Sequence, residues 1–367
     1  MTAFKVFSSS SKEHFRKSNG TYMLKIFAPL FLVALSFLHL PINAKEPISL
    51  TINIISHSLN NGAGKEVDVA IIKEELETLG HHVSLFDYYK VNGITPADIN
   101  IFLAQFIPKW LSEAKLNWFI PNPEFCNATL EDLQKFDLIL CKTKECLRIF
   151  KSISKETYYL GFTSIDRHVP SITKKFSKHL HVAGKSKMKG TEKVIKAWRS
   201  HSGLPSLILI RHRHSSTDKI IKTLKNVKLV TKRIPSDSLL VMQNECGIHL
   251  CPSKTEGFGH YIMEAMSAEA VVITADAPPM NEFIKDKRCL VKYSTTEKKN
   301  FATTYIVDDK ELANTVKRLQ QLSHGELESI GQGNREKYLS RTAKFKQNFE
   351  KLMNKAVHDL YENDLFQ

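Results

Sequence analysis

The sequence predicts an α/β protein with two Rossmann-like domains that face a cleft and with helices at its C-terminus. Two series of short apolar strands alternate with helical segments, one before and one after Arg167. This alternation is typical of parallel sheets covered on both faces. The length of 367 residues also favours two domains. We expect a leader at residues 1–44, domains at 45–165 and 166–340, and a terminal helix at 341–367.

The first series begins with the strand Leu50–Ile55, which a glycine loop at residues 60–64 follows. Apolar residues at helical spacing between Val67 and Leu79 then predict a helix that Gly80 ends. Strand, loop and helix in this order open a βαβ unit. Further strands are predicted at residues 83–86, 99–103, 117–120, 136–140 and 157–161.

The second series follows Arg167 and alternates strands with helices. Its predicted strands are Leu180–Ala183, Ser206–Ile210, Val227–Val230, Gly247–Leu250 and Val271–Thr274. Its predicted helices are Thr191–Arg199, Asp218–Leu224, Ser236–Gln243 and His260–Ala268. Beyond Asp308, apolar residues recur at helical spacing around Leu312 and again around Phe345. The chain is therefore predicted to end in helices.

The formal net charge of +14 is spread unevenly along the chain. Residues 171–233 contain 17 Lys and Arg side chains but only two acidic ones, Glu192 and Asp218. This stretch is expected to attract phosphates, and an anionic membrane surface is a candidate partner. A solvated face of helices is the alternative. Because aromatic residues are not interleaved with the basic ones, no nucleic acid partner is expected.

An apolar run at residues 26–40 follows Arg16, Lys17 and Lys25 and precedes the small residue Ala44. The run is short for a membrane span, and a small residue after it offers a cleavage site, so the pattern predicts a signal segment. An uncleaved anchor is the alternative. The chain is therefore expected to be exported or membrane-associated, with the cytoplasmic face of a membrane as the alternative location.

Six cysteines are present, and no two of them have Cys-x-x-Cys spacing. Most lie in apolar, strand-like runs, which indicates buried thiols without a zinc or redox role. The sequence also has no Asp-x-Asp motif. Neither a metal nor a cofactor is expected.

The densest pattern lies at Pro252–Gly259, which reads PSKTEGFG. Glu264 follows Glu256 by eight positions, and the dipeptides GK at 184–185 and KG at 189–190 precede both. This pattern resembles the donor-site signature of retaining GT-B glycosyltransferases of the family 4 type. The resemblance implies the GT-B fold, in which two Rossmann-like domains face a cleft, and a nucleotide sugar as donor.

The order of residues in this segment suits a nucleotide sugar, which has two hydroxyl-rich rings joined by a dianionic pyrophosphate. The backbone amides of Gly257, Phe258 and Gly259 lead into the N-terminus of a predicted helix, where partial positive charge favours phosphate. By the family's pattern, Glu264 accepts hydrogen bonds from the ribose hydroxyls. The same pattern places Gly184 in the donor site.

The resemblance implies catalytic roles for Glu256, Lys185 and Lys189. Glu256 would face the transferred sugar, and the two lysines would neutralise the pyrophosphate oxygens as the nucleoside diphosphate leaves. Family members usually have arginine at the first basic position, and the gap to the second lysine is one residue shorter in this chain. Lysine lacks the bidentate fork of arginine, so its contact with the phosphates would differ from that in relatives.

Candidate residues for the acceptor side lie in the first predicted domain. Gly62 and Gly64 lie in a loop that resembles the family's acceptor loop, with a plain βα turn as the alternative. Many relatives have a histidine near the reaction centre, but the segment around Asn122 and Glu124 lacks one. Either of these two residues could hold the acceptor or polarise its hydroxyl, although Pro-Asn-Pro is equally a turn. His57 is a second candidate, with an ordinary core or surface histidine as the alternative.

A further departure from the family is Glu269, which stands where relatives have a glycine. Glycine at this position would end the helix in a left-handed turn. Glutamate is expected to bear strain or to reroute the turn. We expect a local deformation that leaves the site in place.

The resemblance implies a retaining, metal-independent hexosyltransferase that uses a nucleotide-diphosphate sugar. The acceptor would be a hydroxyl of a glycan or of a lipid-linked molecule. The leaving phosphate oxygen can itself take the acceptor's proton, so no strong protein base is required. The alternative is an inactive GT-B remnant that binds a glycan or a nucleotide without turnover.

Overall fold

A computed structural model describes residues 48–57, 64–154, 156–212 and 214–362. These residues belong to one compact unit that begins at Pro47. The predicted signal segment at residues 26–40 and the candidate Gly62 lie outside the described residues. No helix in the described ranges is long and apolar enough to span a membrane.

The first sheet belongs to residues 48–162, which we call the first half. Its strands are β1 (Thr51–Ser56), β2 (His82–Asp87), β3 (Ala97–Leu103), β4 (Ala114–Ile120), β5 (Leu138–Cys141) and β6 (Thr157–Tyr159). Its helices are α1 (Gly64–Thr78), α2 (Leu130–Leu133) and α3 (Lys144–Phe150), with a 3-10 turn at Pro108–Glu113. The spatial order is β2, β1, β3, β4, β5, β6, and all neighbours are parallel.

The second sheet belongs to residues 163–322, which we call the second half. Its strands are β7 (Lys175–Gly184), β8 (Ser206–Arg211), β9 (Val227–Val230), β10 (Cys246–Cys251), β11 (Val271–Ala275) and β12 (Leu290–Val291). Its helices are α4 (Thr191–Ser200), α5 (Asp218–Ile221), α6 (Ser236–Glu245), α7 (His260–Ser267) and α8 (Met280–Phe283), with a 3-10 turn at Lys287–Cys289. The spatial order is β12, β11, β10, β7, β8, β9, again with parallel neighbours.

Both sheets contain strands that are covered on both faces. Every residue of β5, β10 and β11 is buried, in keeping with their nearly continuous apolar sequences. The predicted α/β class with two parallel sheets is therefore confirmed. In parallel sheets the carboxyl ends of the strands meet at one edge, and ligands bind outside that edge.

A two-stranded antiparallel hairpin, which the sequence analysis did not predict, follows β12. It consists of β13 (Tyr293–Lys299) and β14 (Ala302–Val307). Its tip reaches the first half, where the backbone amide of Phe301 donates to the carbonyl of Pro123 at 3.2 Å. Its second strand is tied to the second half by a 2.6 Å hydrogen bond from the Tyr305 amide to the Lys254 carbonyl. The hairpin thus bridges the two halves.

Two helices complete the chain, α9 (Asp309–Gln320) and α10 (His324–Val357), and a π-helical turn at His358–Glu362 follows them. A capping box between Ser323 and Glu326 fixes the start of α10. This long helix contacts both halves. Asn334 donates to the Ala270 carbonyl at 2.9 Å, and the Asn348 carbonyl accepts from the Tyr158 hydroxyl at 2.9 Å.

One large cluster of buried apolar side chains contains members from both sheets, from α7 and from α10, such as Ile54, Leu250, Met266 and Phe349. A second cluster under α3 is rich in phenylalanine and receives Phe301 from the hairpin. All six cysteines are buried with free thiols, as their apolar surroundings in the sequence indicated. The two halves are therefore joined by packing as well as by hydrogen bonds.

Candidate active site

The segment Pro252–Gly259, which we call the glutamate loop, joins β10 to α7 at the carboxyl edge of the second sheet. Gly259 stands at the N-cap of α7. The side chain of Phe258 is buried and lies edge-on to Phe162 at 5.2 Å and to Phe283 at 5.4 Å. Only the backbone of Phe258 is therefore available to a ligand.

Glu256 is paired with the lysine that the sequence pattern assigned to the phosphates. The Nζ atom of Lys189 donates to Glu256 Oε1 at 2.6 Å, and the hydroxyl of Ser253 donates to the same oxygen. The Lys189 ammonium also lies 3.8 Å from the centre of the Tyr261 ring. Both charged side chains are largely buried, so their attraction is weakly screened.

Gly190 explains why Lys189 reaches this carboxylate. It has a left-handed φ of 67° at the N-cap of α4, and a Cβ atom there would overlap the backbone carbonyl of Pro252. Only glycine permits this close approach of the two backbones. The approach places Lys189 beside the glutamate loop.

Glu264 projects from α7 and is half-buried. Its Oε2 atom accepts a 2.9 Å hydrogen bond from the Gln243 amide on α6. A carboxylate oriented in this way has an unshared oxygen that can accept from hydroxyl groups. Gln243 was not singled out in the sequence.

Gly184 and Lys185 lie at the carboxyl end of β7, apart from the ion pair of Glu256. Gly184 lines a cavity of about 400 Å³ with Thr191, Arg211, Thr217 and Lys254. The side chain of Lys185 is exposed. Lys185 lies close enough to His212 to lower the pKa of that histidine, second to the effect of burial. The two predicted lysines therefore occupy different surroundings.

Asn122 contacts the glutamate loop from the first half. A Cβ atom at Gly257 would overlap the side-chain oxygen of Asn122, so glycine is required for this approach. The same oxygen accepts a 2.8 Å hydrogen bond from Lys142. The loop after β4 and the glutamate loop thus meet directly.

Glu124 lies in the same contact and is only 4% exposed. Its Oε2 atom has no hydrogen-bond partner among the described residues. Burial and, less strongly, the charge of Glu256 raise the pKa of Glu124 to about 7 against the opposing effects of its own backbone amide, Lys142 and the Gly257 amide. At neutral pH this carboxyl group can therefore both donate and accept a proton.

Asp68, Lys142 and His260 form a buried cluster that sequence reasoning missed. Lys142 Nζ donates to Asp68 Oδ2 at 2.7 Å, and both side chains are almost fully buried. His260 Nε2 lies 2.9 Å from Asp68 Oδ1, and its Nδ1 lies 2.9 Å from the Ser164 hydroxyl. Burial by itself raises the pKa of Asp68, but Lys142 and His260 outweigh it and lower that pKa overall.

The remaining acceptor-side candidates lie at the edge of this cluster. Gly64 starts α1, and a Cβ atom there would lie 3.4 Å from the His260 ring. His57 contacts the Tyr88 hydroxyl and the ammonium of Lys65, which is 3.2 Å from His57 Nε2. Burial and then Lys65 lower the pKa of His57. No contact joins His57 to Glu256 within the described residues.

The space beside Glu256 is small. Glu256 lines a cavity of about 10 Å³ with Pro123, Thr143 and Thr255, whereas ligand sites of this kind measure about 300–1,000 Å³. In this conformation the side chains of Glu256 and Lys189 are in direct contact. This cavity is therefore too small to hold a sugar ring.

Glu269 keeps the left-handed turn that glycine would make in relatives. Its φ is 59°, and the Ala270 amide donates to the Ala265 carbonyl at 3.1 Å as the helix ends. Of the two outcomes expected, strain is therefore the one observed, and the turn is not rerouted. Glu264, one turn earlier, stays on its helix.

No group of three or more His, Cys, Asp or Glu side chains in the described ranges is placed to hold a metal ion. Metal independence stays a prediction.

The comparisons with known proteins concern both the second half and the whole fold. Residues 163–321 match the sequence model of the family described as Glycosyl transferases group 1. No curated protein matches the chain.

Solved structures of low sequence identity match most of the chain. The chain is similar to a sucrose-phosphate synthase from Thermosynechococcus elongatus, with 14% identity, a TM-score of 0.61 and coverage of 85% of this chain and 99% of that chain. It is similar to HepE from Anabaena in complex with UDP-glucose, with 14% identity, a TM-score of 0.56 and coverage of 85% and 100%. It is also similar to an E. coli structure described as trehalose-6-phosphate bound with UDP-2-fluoro glucose, with 11% identity, a TM-score of 0.60 and coverage of 83% and 98%.

At these identities the structural similarity shows the fold alone. The chain therefore has the predicted GT-B fold of glycosyltransferases, and residues 163–321 within it match the glycosyl transferases group 1 family.

Proposed function

We propose that the protein is a retaining glycosyltransferase that moves a hexosyl unit from a nucleotide-diphosphate sugar to a hydroxyl group. The family match and the fold support sugar transfer from a nucleotide sugar. The proposal of retaining hexosyl transfer depends on one observation. Glu256 and Lys189 form an ion pair at a glycine loop that leads into a helix N-terminus. A carboxylate for sugar hydroxyls and a cation for phosphate thus stand side by side.

Donor binding would exchange the partners of this ion pair. Lys189 would leave Glu256 for the pyrophosphate, to which Lys185 and the amides of Gly257, Phe258 and Gly259 would also donate. Glu256 would then accept hydrogen bonds from the transferred sugar, and Glu264 from the ribose. Because Glu256 and Lys189 neutralise each other before binding, neither charge is left buried and unpaired.

The chemical step breaks the bond between the anomeric carbon and the phosphate oxygen and forms a bond to the acceptor oxygen on the same face. Lys189 and the loop amides would stabilise the charge that develops on the leaving phosphate. The acceptor's proton would pass to that phosphate oxygen. Glu124 would hold the acceptor hydroxyl through its unpaired oxygen, and Asn122 would fix the loop beside it.

A second candidate function is binding without turnover by an inactive GT-B protein. The cavity of about 10 Å³ beside Glu256 favours it, because this space is far too small for a sugar ring. The exposed position of Lys185, apart from the ion pair, also favours it.

For the acceptor we propose a glycan or a lipid-linked molecule, and for the location a membrane or an exported compartment reached through residues 26–40. Four lysines of the basic stretch at residues 171–233 are paired with acidic side chains outside it. Lys175 and Lys178 pair with Glu245, and Lys193 and Lys196 pair with Asp309. The lysines at 222, 225 and 228 are exposed and without such partners among the described residues. These are the side chains that would face an anionic membrane surface. The proposal includes no cofactor, metal or nucleic acid.

The test is the release of nucleoside diphosphate from a panel of nucleotide sugars. We expect one sugar to be consumed by the wild-type protein and the rate to fall about a hundredfold in Glu256→Gln and Glu264→Ala. Glu245→Gln, which removes a charge elsewhere in the second half, is the matched control. Binding without release would support the inactive alternative, and equal release by all four proteins would refute the site. Retention is read from the anomeric configuration of the product, and metal independence from activity in a chelator.

A further inference from the structure

A second cavity, about 640 Å³ in volume, lies where α10 passes the end of the first sheet and α8. Its size is within the range of small-molecule sites. Three parts of the chain form its wall, namely the end of the first sheet, the segment from α7 to α8, and α10. The lining residues that carry the argument are Lys144, Tyr159, Met266, Phe283, Lys337 and Lys344.

This cavity is distinct from the candidate active site. Glu282, which lines it, accepts hydrogen bonds from the backbone amides of Lys144 at 2.8 Å and Glu145 at 2.7 Å. The side of α3 that carries Thr143 and Glu145 lines the small cavity of Glu256 instead. The two cavities share no lining residue and are separated by the start of α3.

The rim of the cavity carries unpaired positive charge. Within the described part of the chain, no acidic side chain forms an ion pair with Lys144, Lys337 or Lys344, which all line the cavity. Lys285 donates only to a backbone carbonyl, that of Asn281, at 2.9 Å. Like charges around one concave, low-dielectric wall focus the field and favour an anion.

Two carboxylates on the cavity wall do not cancel this charge. The oxygens of Glu282 are already engaged by the two backbone amides of α3. Glu336 is exposed on the rim. The lining residues carry five positive charges, on Lys144, Lys285, Lys337, Lys344 and Arg341, against two negative ones, on Glu282 and Glu336.

The floor of the cavity is apolar. Met266 and Phe283 are buried, and Tyr159 is half-buried beside them. The Arg341 guanidinium lies 4.7 Å from the centre of the Phe283 ring and donates to the carbonyls of Phe162 at 2.8 Å and Lys142 at 3.2 Å. Arg341 is thus fixed in place by contacts with the protein. An apolar floor under a cationic rim suits a ligand with one apolar end and one anionic end.

We propose that this cavity binds a phosphate monoester that carries an apolar group. The phosphate would lie between Lys144, Lys337 and Lys344, because a dianion can accept charge-assisted hydrogen bonds from several ammonium groups. The apolar group would cover Met266 and Phe283. This site is independent of the donor site proposed above.

The same chemistry occurs in soluble aryl or alkyl phosphates and in lipids with a phosphate monoester headgroup. Phenyl phosphate represents the first source, and vesicles of phosphatidic acid in phosphatidylcholine represent the second. Inorganic phosphate lacks the apolar group, and pure phosphatidylcholine vesicles lack the monoester. Comparison of the four probes shows whether the ligand is soluble or a lipid. It also shows whether binding needs the apolar group and the phosphate monoester.

The experiment measures binding of these probes to the full chain by calorimetry and by co-sedimentation. The test variants are the double substitution Lys337→Gln and Lys344→Gln, which removes two exposed charges, and Ser340→Trp, which fills the cavity from its exposed rim. The control is the double substitution Lys351→Gln and Lys355→Gln on exposed positions of α10 outside the cavity. Melting temperatures identify any variant that fails to fold.

We expect phenyl phosphate or phosphatidic acid to bind more tightly than its matched control probe. Affinity should fall about tenfold or more in the Lys337/Lys344 variant, since each charge-assisted hydrogen bond contributes about that factor. It should also fall in Ser340→Trp and stay unchanged in the Lys351/Lys355 control. No binding of either phosphate monoester, or an equal loss in the control, would overturn the proposal. The proposal would also be overturned if both test variants bound the probes with the affinity of the wild type.

Discussion

His260 and Asp68 join the two halves of the protein, with His260 Nε2 at 2.9 Å from Asp68 Oδ1. Asp68 lies on α1 of the first half, and His260 is the first residue of α7, directly after the glutamate loop. Lys142 binds the other oxygen of the same carboxylate at 2.7 Å. One buried carboxylate therefore fixes the glutamate loop against the half in which we expect the acceptor.

The first prediction concerns Lys142. Replacement by methionine leaves Asp68 buried without its cation, so Lys142→Met should lower the free energy of unfolding by about 3–5 kcal/mol. Chemical denaturation measures this value. Lys135 is the control, because its pairs with Glu131 and Asp132 are partly exposed, and Lys135→Met should change the free energy of unfolding far less. Equal costs would show that the buried cluster has no special role in stability.

The second prediction follows from the pKa of Glu124, which burial raises from 4.5 to about 7. Between these values the folded protein binds more protons than the unfolded chain, so the contribution of Glu124 to stability is lost as the pH rises. The total change should be on the order of 3 kcal/mol.

The measurement is the difference in unfolding free energy between the wild type and Glu124→Gln across this pH window. Glutamine cannot ionise, so the wild type should lose stability relative to the variant from about pH 4.5 to pH 7. A difference that is independent of pH would contradict the raised pKa.

The third prediction compares two glycines of α10. A Cβ atom at Gly331 would overlap the carbonyl oxygen of Glu269, whereas one at Gly333 would meet nothing within 4 Å. Gly333→Ala should therefore stabilise the protein by about 1 kcal/mol through helix propensity. Gly331→Ala should destabilise it by about 1–3 kcal/mol because the helix must move away from Glu269. Thermal unfolding of both variants measures the two changes in stability. If both substitutions stabilise or both destabilise the protein, the close packing of α10 on the second half is contradicted.

The fourth prediction concerns the hairpin. Phe301 at its tip lies 5.4 Å from the Phe150 ring, centre to centre, in the aromatic cluster of the first half. Phe301→Ala should cost about 2 kcal/mol, less than for a fully buried phenylalanine because Phe301 is only half-buried. Tyr293→Ala, at the exposed base of the hairpin, should cost less than about 1 kcal/mol. A neutral Phe301→Ala would show that the tip is not anchored to the first half.

Periodic segments were predictable because local pattern alone determines them. The strand predicted at Gly247–Leu250 is β10, and the helix predicted from His260 starts at that residue. The hairpin was missed because β13 is almost entirely exposed and rich in Ser, Thr and Lys, so it lacks the apolar run that marks a buried strand. The hairpin bridges the two halves because its tip contacts the first half, and the local sequence does not specify this contact.

The buried cluster was missed for a different reason. Asp68 and Lys142 are far apart in the sequence and meet only because α1 and the end of β5 pack together in the first half. Asn122 was singled out, but its contact with Gly257 depends on how the two halves approach each other. A single sequence specifies the elements more clearly than the contacts between them.

In the proposed mechanism, Lys189 exchanges Glu256 for the phosphates of a nucleotide sugar. The most direct test is the affinity for a panel of nucleoside diphosphates, measured by calorimetry on the wild type, Lys189→Gln and Glu256→Gln. Lys189→Gln should weaken binding of the preferred nucleotide about tenfold or more. Glu256→Gln should leave binding unchanged or tighten it, because it frees Lys189. Weaker binding in Glu256→Gln together with unchanged binding in Lys189→Gln would contradict this mechanism.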